Sequence, residues 1–143
     1  MPGHVLGLFL KPGHGLPMRE VQSVSAVAGQ GLEGDASFGR SRRQVLLVDQ
    51  SILAEFNLHP GQTRENIALA GLSLTGLPAG TRLHIGAAIL EVTGDCTPCA
   101  LMDSIRPGLR EAIRGQRGLL ARVHQGGIIS VADSVTIEPA PPG

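Results

Sequence analysis

Apolar residues along the chain fall mostly into short runs at strand spacing, and seldom at helical spacing. Residues 4–10 form a nearly unbroken apolar run closed by Lys11-Pro12-Gly13, which predicts an opening strand. Residues 20–27 mix apolar and polar positions around Val21, Val24 and Val27, as a half-buried strand does. Residues 44–48 are continuously apolar after Gln44, and Asp49 follows where the N-cap of a short helix over residues 51–56 belongs. Residues 67–74, 81–85 and 88–93 read as further strands punctuated by turns, among them Leu77-Pro78-Ala79-Gly80 and Gly86. Residues 109–114 predict another short helix after Pro107-Gly108. Residues 118–123 and 128–131, separated by Gly126-Gly127, predict a β-hairpin, and residues 135–138 a last strand. The pattern therefore predicts a mainly β protein of seven to nine short strands with two or three short helices.

With 143 residues and no linker or internal repeat, the chain is expected to be one domain, residues 1–143, with loose ends at 1–3 and 139–143. Three Phe and no Tyr or Trp mean that Val, Leu, Ile and Ala must fill the core. Twenty Gly and ten Pro suit many tight turns. Twelve basic and twelve acidic residues cancel, which argues against a general nucleic-acid or membrane surface. No run is long enough for a signal segment or a membrane span, so a cytoplasmic location with reduced cysteines is expected. Every basic residue except Lys11 is Arg, a bias that anion recognition or a GC-rich coding sequence would each produce.

Both cysteines lie in Cys96-Thr97-Pro98-Cys99, on a turn after the strand at 88–93. Spacing alone leaves several readings open. A redox dithiol requires a thioredoxin-like βαβ setting that the flanking pattern lacks. A structural zinc site requires two more ligands, and His84 and His124 are isolated. A single thiolate could bind a soft metal or carry a persulfide, or both cysteines could be small apolar turn residues. Upstream, residues 29–43 hold four glycines and three arginines, Arg40, Arg42 and Arg43, in one loop. Such a loop can cradle an anion, since Gly admits backbone N–H groups and Arg neutralises charge. It can equally be a solvated loop, and it has neither P-loop nor dinucleotide-binding spacing. The polar stretch Thr63-Arg64-Glu65-Asn66 leads straight into an apolar run, where it could face a pocket or merely cap a loop.

Taken in order, several segments resemble the MOSC domain, named for the C-terminal domain of molybdenum cofactor sulfurase. They are Gly31-Leu32-Glu33-Gly34-Asp35, Arg43-Gln44-Val45, Pro60-Gly61, Arg64-Glu65-Asn66-Ile67 with Gly71-Leu72, Leu77-Pro78-Ala79-Gly80, Leu90-Glu91-Val92-Thr93, Pro98-Cys99, and Gly118 to Val123 before Gly126-Gly127. The resemblance implies a MOSC-type β-barrel. It also implies that Cys99 is the reactive cysteine, either as thiolate ligand to molybdenum in the pterin-dithiolene cofactor or as carrier of a sulfur, with Cys96 as accessory. Arg64 and Asn66 match positions that meet the pterin or its phosphate in cofactor-binding relatives. Thr97, Arg40 and Arg43 join them as candidate cofactor contacts through their places on the cysteine turn and the Gly-rich loop.

Two positions depart from the family pattern: Ser37 stands where relatives often carry His, and Arg64 where bacterial single-domain relatives commonly carry Gly. The leading expectation is a molybdenum-cofactor protein that reduces N-hydroxylated or N-oxygenated compounds with electrons from a partner protein. The alternative is a persulfide carrier or cofactor-delivery module served by a cysteine desulfurase. No pyridoxal phosphate site is expected, because the only lysine, Lys11, lies in a Gly- and Pro-rich segment. A third possibility is a domain that has kept the fold and lost the site.

Overall fold

The computed structural model describes residues 3–13 and 15–142. The opening apolar run forms β1 (Gly3–Leu10), followed by β2 (Arg19–Val21), β3 (Ser23–Val27), β4 (Gly31–Leu32) and β5 (Val45–Asp49). Helix α1 (Gln50–Glu55) leads to β6 (Ile67–Ala70), β7 (Arg82–Ile85) and β8 (Ala88–Asp95). After the cysteine turn come α2 (Ala100–Ile105), α3 (Leu109–Ala112), β9 (Leu119–Gln125), β10 (Gly127–Ser130) and β11 (Ser134–Glu138). Gly3 pairs with Val135, so residue 3 is part of the sheet and not of a loose end. Residues 1, 2 and 143 lie outside the described residues.

Seven strands close into a barrel in the order β11-β7-β8-β9-β5-β6-β1, with β1 pairing back to β11 and β2 added at the edge of β1. All barrel pairings are antiparallel except β5 with β6, which are parallel and joined by the segment that contains α1. A small sheet, β10-β3-β4, covers one side. Closure removes the exposed edges that short apolar strands would otherwise present.

The sequence pattern follows from which strands are covered on both faces. Along β8 burial alternates, with Leu90 and Val92 inside and Ile89 and Glu91 outward. β6 is buried at all four positions, and β5 at four of five. The reason is a second core outside the barrel, where Phe9, Val48 and Ala68 turn outward and meet Ile52, Leu53, Met102, Leu109 and Ile113 from the three helices. Strands covered on both sides read as continuous apolar runs. Burial of a side chain such as Met102 contributes about 1.5–3 kcal/mol each, and here it fastens α2, whose first residue follows Cys99.

Two further expectations are corrected, and one of the three helices lies where none was placed. The run at 20–27 is two strands in different sheets: β2 pairs with β1 and β3 with β10. Residues 118–131 do not form a hairpin, since β9 pairs with β5 and β8 while β10 pairs with β3. The chain leaves the barrel at Gly126, where a Cβ would lie 2.8 Å from the Ala26 carbonyl oxygen. Helix α2 was not predicted at all, so the cysteine turn opens a helix after a strand, though in an antiparallel barrel and not a βαβ unit.

Candidate functional site

Asp49 shows how local sequence sets the frame. Its carboxylate accepts the Ile52 N–H at 3.1 Å as the N-cap of α1, and the Leu74 N–H at 2.8 Å. The loop of residues 33–43 is organised by a second carboxylate. Asp35, only 5% exposed, accepts the Lys11 N–H (2.7 Å) and the Asn66 amide (3.0 Å) on Oδ1, and the Ser37 N–H (3.0 Å) on Oδ2. Asn66 also accepts the Leu46 N–H and donates to the Phe9 carbonyl, so both its amide hydrogens hold β1 and the loop together. Gln44 completes the clamp by donating to the carbonyls of Gly29 and Arg40 while accepting the Val123 N–H.

The turn before β6 is built on Glu65. Its fully buried carboxylate accepts the Gly61 N–H and the Thr63 hydroxyl at 2.6 and 2.7 Å. This curl puts Arg64 at φ +63°, the left-handed region that costs a non-glycine residue about 1 kcal/mol. The Gly expected there in relatives would adopt it freely. The Arg64 side chain does not fold away: its Nη1 donates to the Leu16 carbonyl at 2.8 Å, strapping the segment after β1.

Cys99 is exposed and forms the N-cap of α2, yet its side chain makes no capping bond and the thiol stays free. Cys96 is buried on the same turn, and its N–H donates to the Gly118 carbonyl at 2.9 Å. Gly118 has to be glycine: a Cβ there would stand 2.6 Å from the Leu47 carbonyl oxygen. The cysteine turn is thereby fastened to the start of β9, directly beside Arg117.

These elements enclose a cleft of about 620 Å³. Cys99, Thr97, Arg64, Asn66, Arg40 and Arg43, the residues singled out from the sequence, all line it. Arg42 does not; its carbonyl accepts the Thr93 hydroxyl instead. Sequence reasoning passed over Lys11, Gln44 and Arg117, which line the same cleft. Arg117 precedes Gly118 at the head of an apolar strand, a position at which an arginine carries no sequence signal of facing a cleft.

The charge of the cleft is one-sided. Lys11, Arg40, Arg43, Arg64 and Arg117 line it, and no Asp or Glu does. None of the five takes part in a salt bridge among the described residues. Such a surface, combined with a free thiol, is suited to an anionic ligand that also carries a thiophilic centre.

The model of the MOSC domain matches residues 34–136, a span that holds every residue singled out for the site. The chain belongs to the MOSC domain family. The YuaD protein of Bacillus subtilis superposes with a TM-score of 0.84 at 20% identity, over 99% of this chain and 98% of that one. YiiM of Geobacillus stearothermophilus gives 0.77 at 18% identity, over 96% and 75% of the two chains. YiiM of Escherichia coli gives 0.72 at 17%, over 98% and 72%. At these identities the likeness describes the MOSC fold. No curated protein matches the sequence. Among the described residues, no helix is long and apolar enough to cross a membrane.

Proposed function

We propose that this MOSC domain binds the molybdenum cofactor in the 620 Å³ cleft, with Cys99 as thiolate ligand to the metal, and reduces N-hydroxylated or N-oxygenated compounds. The observation that carries the reading is the exposed, uncapped thiol of Cys99 in a cleft with five cationic side chains and no carboxylate. The residues fit the group. A thiolate suits a metal held by dithiolene sulfurs, and guanidinium groups suit a phosphate ester. The Arg117 guanidinium has two nitrogens without a protein acceptor, and the volume lies within the range of small-molecule sites.

When bound, the cofactor supplies a metal that changes oxidation state. Cys99 would ligate the metal, the cleft-lining Thr97 would offer a hydroxyl to the ligand, and Lys11, Arg40, Arg43 and Arg64 would balance its charge. Asn66 acts on the loop by holding Asp35. Breaking one N–O bond takes two electrons and two protons and releases water, so an external donor protein must deliver the electrons. Ser37 lines the cleft where relatives often carry His, so no proton transfer is assigned to that position.

Metal analysis tests this. Protein purified from a host that makes the cofactor should hold about one molybdenum per chain, and Cys99→Ser should lose it while keeping its thermal midpoint. If the wild type holds no molybdenum but Cys99 accepts labelled sulfur from a cysteine desulfurase, the domain is a persulfide carrier. If neither occurs, this chain keeps the fold without either chemistry.

A further inference from the structure

Among the described residues, the buried side-chain nitrogens and oxygens without a hydrogen-bond partner are Thr81 Oγ1 and the Nε and Nη1 of Arg117. Arg117 is 4% exposed, and its single protein bond runs from Nη2 to the Thr63 carbonyl at 2.7 Å. A buried guanidinium is expensive unless paired and hydrogen-bonded. Glu65 accepts the hydroxyl of the same Thr63, but no hydrogen bond or salt bridge joins its carboxylate to Arg117 among the described residues. Arg117 is in no salt bridge among the described residues, yet it lines the cleft that holds Cys99.

The other cations of the cleft are less buried than Arg117. Arg40 and Arg43 are exposed, and Lys11 and Arg64 are half-buried. A cleft lined by charge of one sign attracts an anion, and its most buried cation is the one lacking acceptors. We infer that Arg117 is the floor of an oxyanion subsite that takes a phosphate-ester oxygen, with the exposed arginines guiding entry. The inference rests on the cleft being the ligand site proposed above, but not on the ligand containing molybdenum. A pterin cofactor's phosphate and the phosphate of a separate ligand share this chemistry.

The test uses the full chain made in a host unable to synthesise the cofactor, with inorganic phosphate as the probe. In the wild type, the Arg117 Nε–Hε resonance should shift saturably as phosphate is added. By calorimetry, Arg117→Met should bind phosphate roughly 10–100-fold more weakly, the loss expected for a hydrogen bond to a charged group, with Arg117→Lys between. An unmoved resonance overturns the inference even if Arg117→Met does not fold. Equal phosphate affinity in a folded Arg117→Met overturns it too, and shows that buried water satisfies the guanidinium. Pterin content of protein from a cofactor-making host then separates the sources. A loss in Arg117→Lys assigns the subsite to the cofactor's phosphate; unchanged pterin with weakened phosphate binding assigns it to a separate phosphorylated ligand. Phosphate binding that survives in a protein shown to take up neither molybdenum nor pterin would end the cofactor reading and leave Arg117's role standing.

Discussion

On the β7–β8–β9 wall Glu91 lies opposite Arg82 on one neighbouring strand and Arg122 on the other, and its carboxylate takes both guanidiniums, at 3.4 and 2.8 Å. Behind the cleft's lining, Asp35 lies in the loop that carries Arg40 and Arg43, yet its oxygens go to two backbone N–H groups and the Asn66 amide. One acid bridges two cations; the other shapes a loop and forms no salt bridge with the cations beside it. A chain with zero net charge thus arranges its charge differently in two places: the wall's arginines share an acid as a paired neighbour, and the cleft's cations line it without one. Paired charges across strands serve the fold; unpaired ones around a free thiol are what the proposed recognition of an anion would use.

The largest effect is expected from removing the carboxylate that organises the loop beside the cleft. Asp35→Ala leaves the Lys11 N–H, the Ser37 N–H and one Asn66 amide hydrogen without their acceptor. Each unsatisfied buried donor costs about 1–3 kcal/mol, with water relieving part, so a total of about 2–4 kcal/mol should appear in urea unfolding. If Asp35 instead served mainly to neutralise the arginines, Asp35→Asn would be as damaging. It should be milder, because an amide oxygen can still accept one of the bonds.

Breaking the wall should cost less and depend on pH. Burial, the largest single influence, pushes the Glu91 carboxyl up, but hydrogen bonds and charge from Arg122, and then Arg82, together outweigh it and hold it below the ordinary value of 4.5. A depressed folded value means that the ionised form stabilises the fold above the unfolded value, near 4.5, and that this contribution disappears as pH falls through the folded value. Glu91→Gln should therefore lose about 1 kcal/mol at neutral pH, the sum of two partly exposed pairs. The gap from wild type should narrow below pH 4.5 and become constant at lower pH. A gap that stays constant from neutral to acid would mean that packing, not charge, joins these strands.

Legibility in the sequence follows the same division. The barrel strands were readable because continuous runs mark β5 and β6, buried on both faces, and Asp49 was readable as an N-cap because capping is local. The split of residues 20–27 and the absence of a 118–131 hairpin were not, because which sheet a strand joins is decided by distant partners: β3 finds β10, more than a hundred residues on. Helix α2 was hidden because its six residues place only Met102 deep in the core, too little to make a period. In the site, Cys99, Thr97, Arg64 and Asn66 were legible through ordered motifs. Arg117 was not, since nothing in a sequence distinguishes an arginine at a strand entrance that faces water from one sealed beneath a cleft.

The smallest effect, and the sharpest in sign, concerns the cleft cation on a strained backbone. Arg64→Gly removes the left-handed penalty of about 1 kcal/mol, but it loses the bond to the Leu16 carbonyl, worth about 0.5–1.5 kcal/mol, and adds unfolded-chain entropy of about 0.4–1 kcal/mol. The net change should lie between about zero and 1.5 kcal/mol of destabilisation. Arg64→Ala loses the same bond and keeps the strain, so in urea unfolding Gly should equal or exceed Ala in stability, the reverse of the order inside a helix. Both variants should bind phosphate more weakly than wild type, because both delete a cation that no acid in the described chain neutralises. Equal phosphate affinity in both would place Arg64 with the wall's arginines, as a strap for the segment after β1, and reduce the cleft's unbalanced charge to four residues, Lys11, Arg40, Arg43 and Arg117.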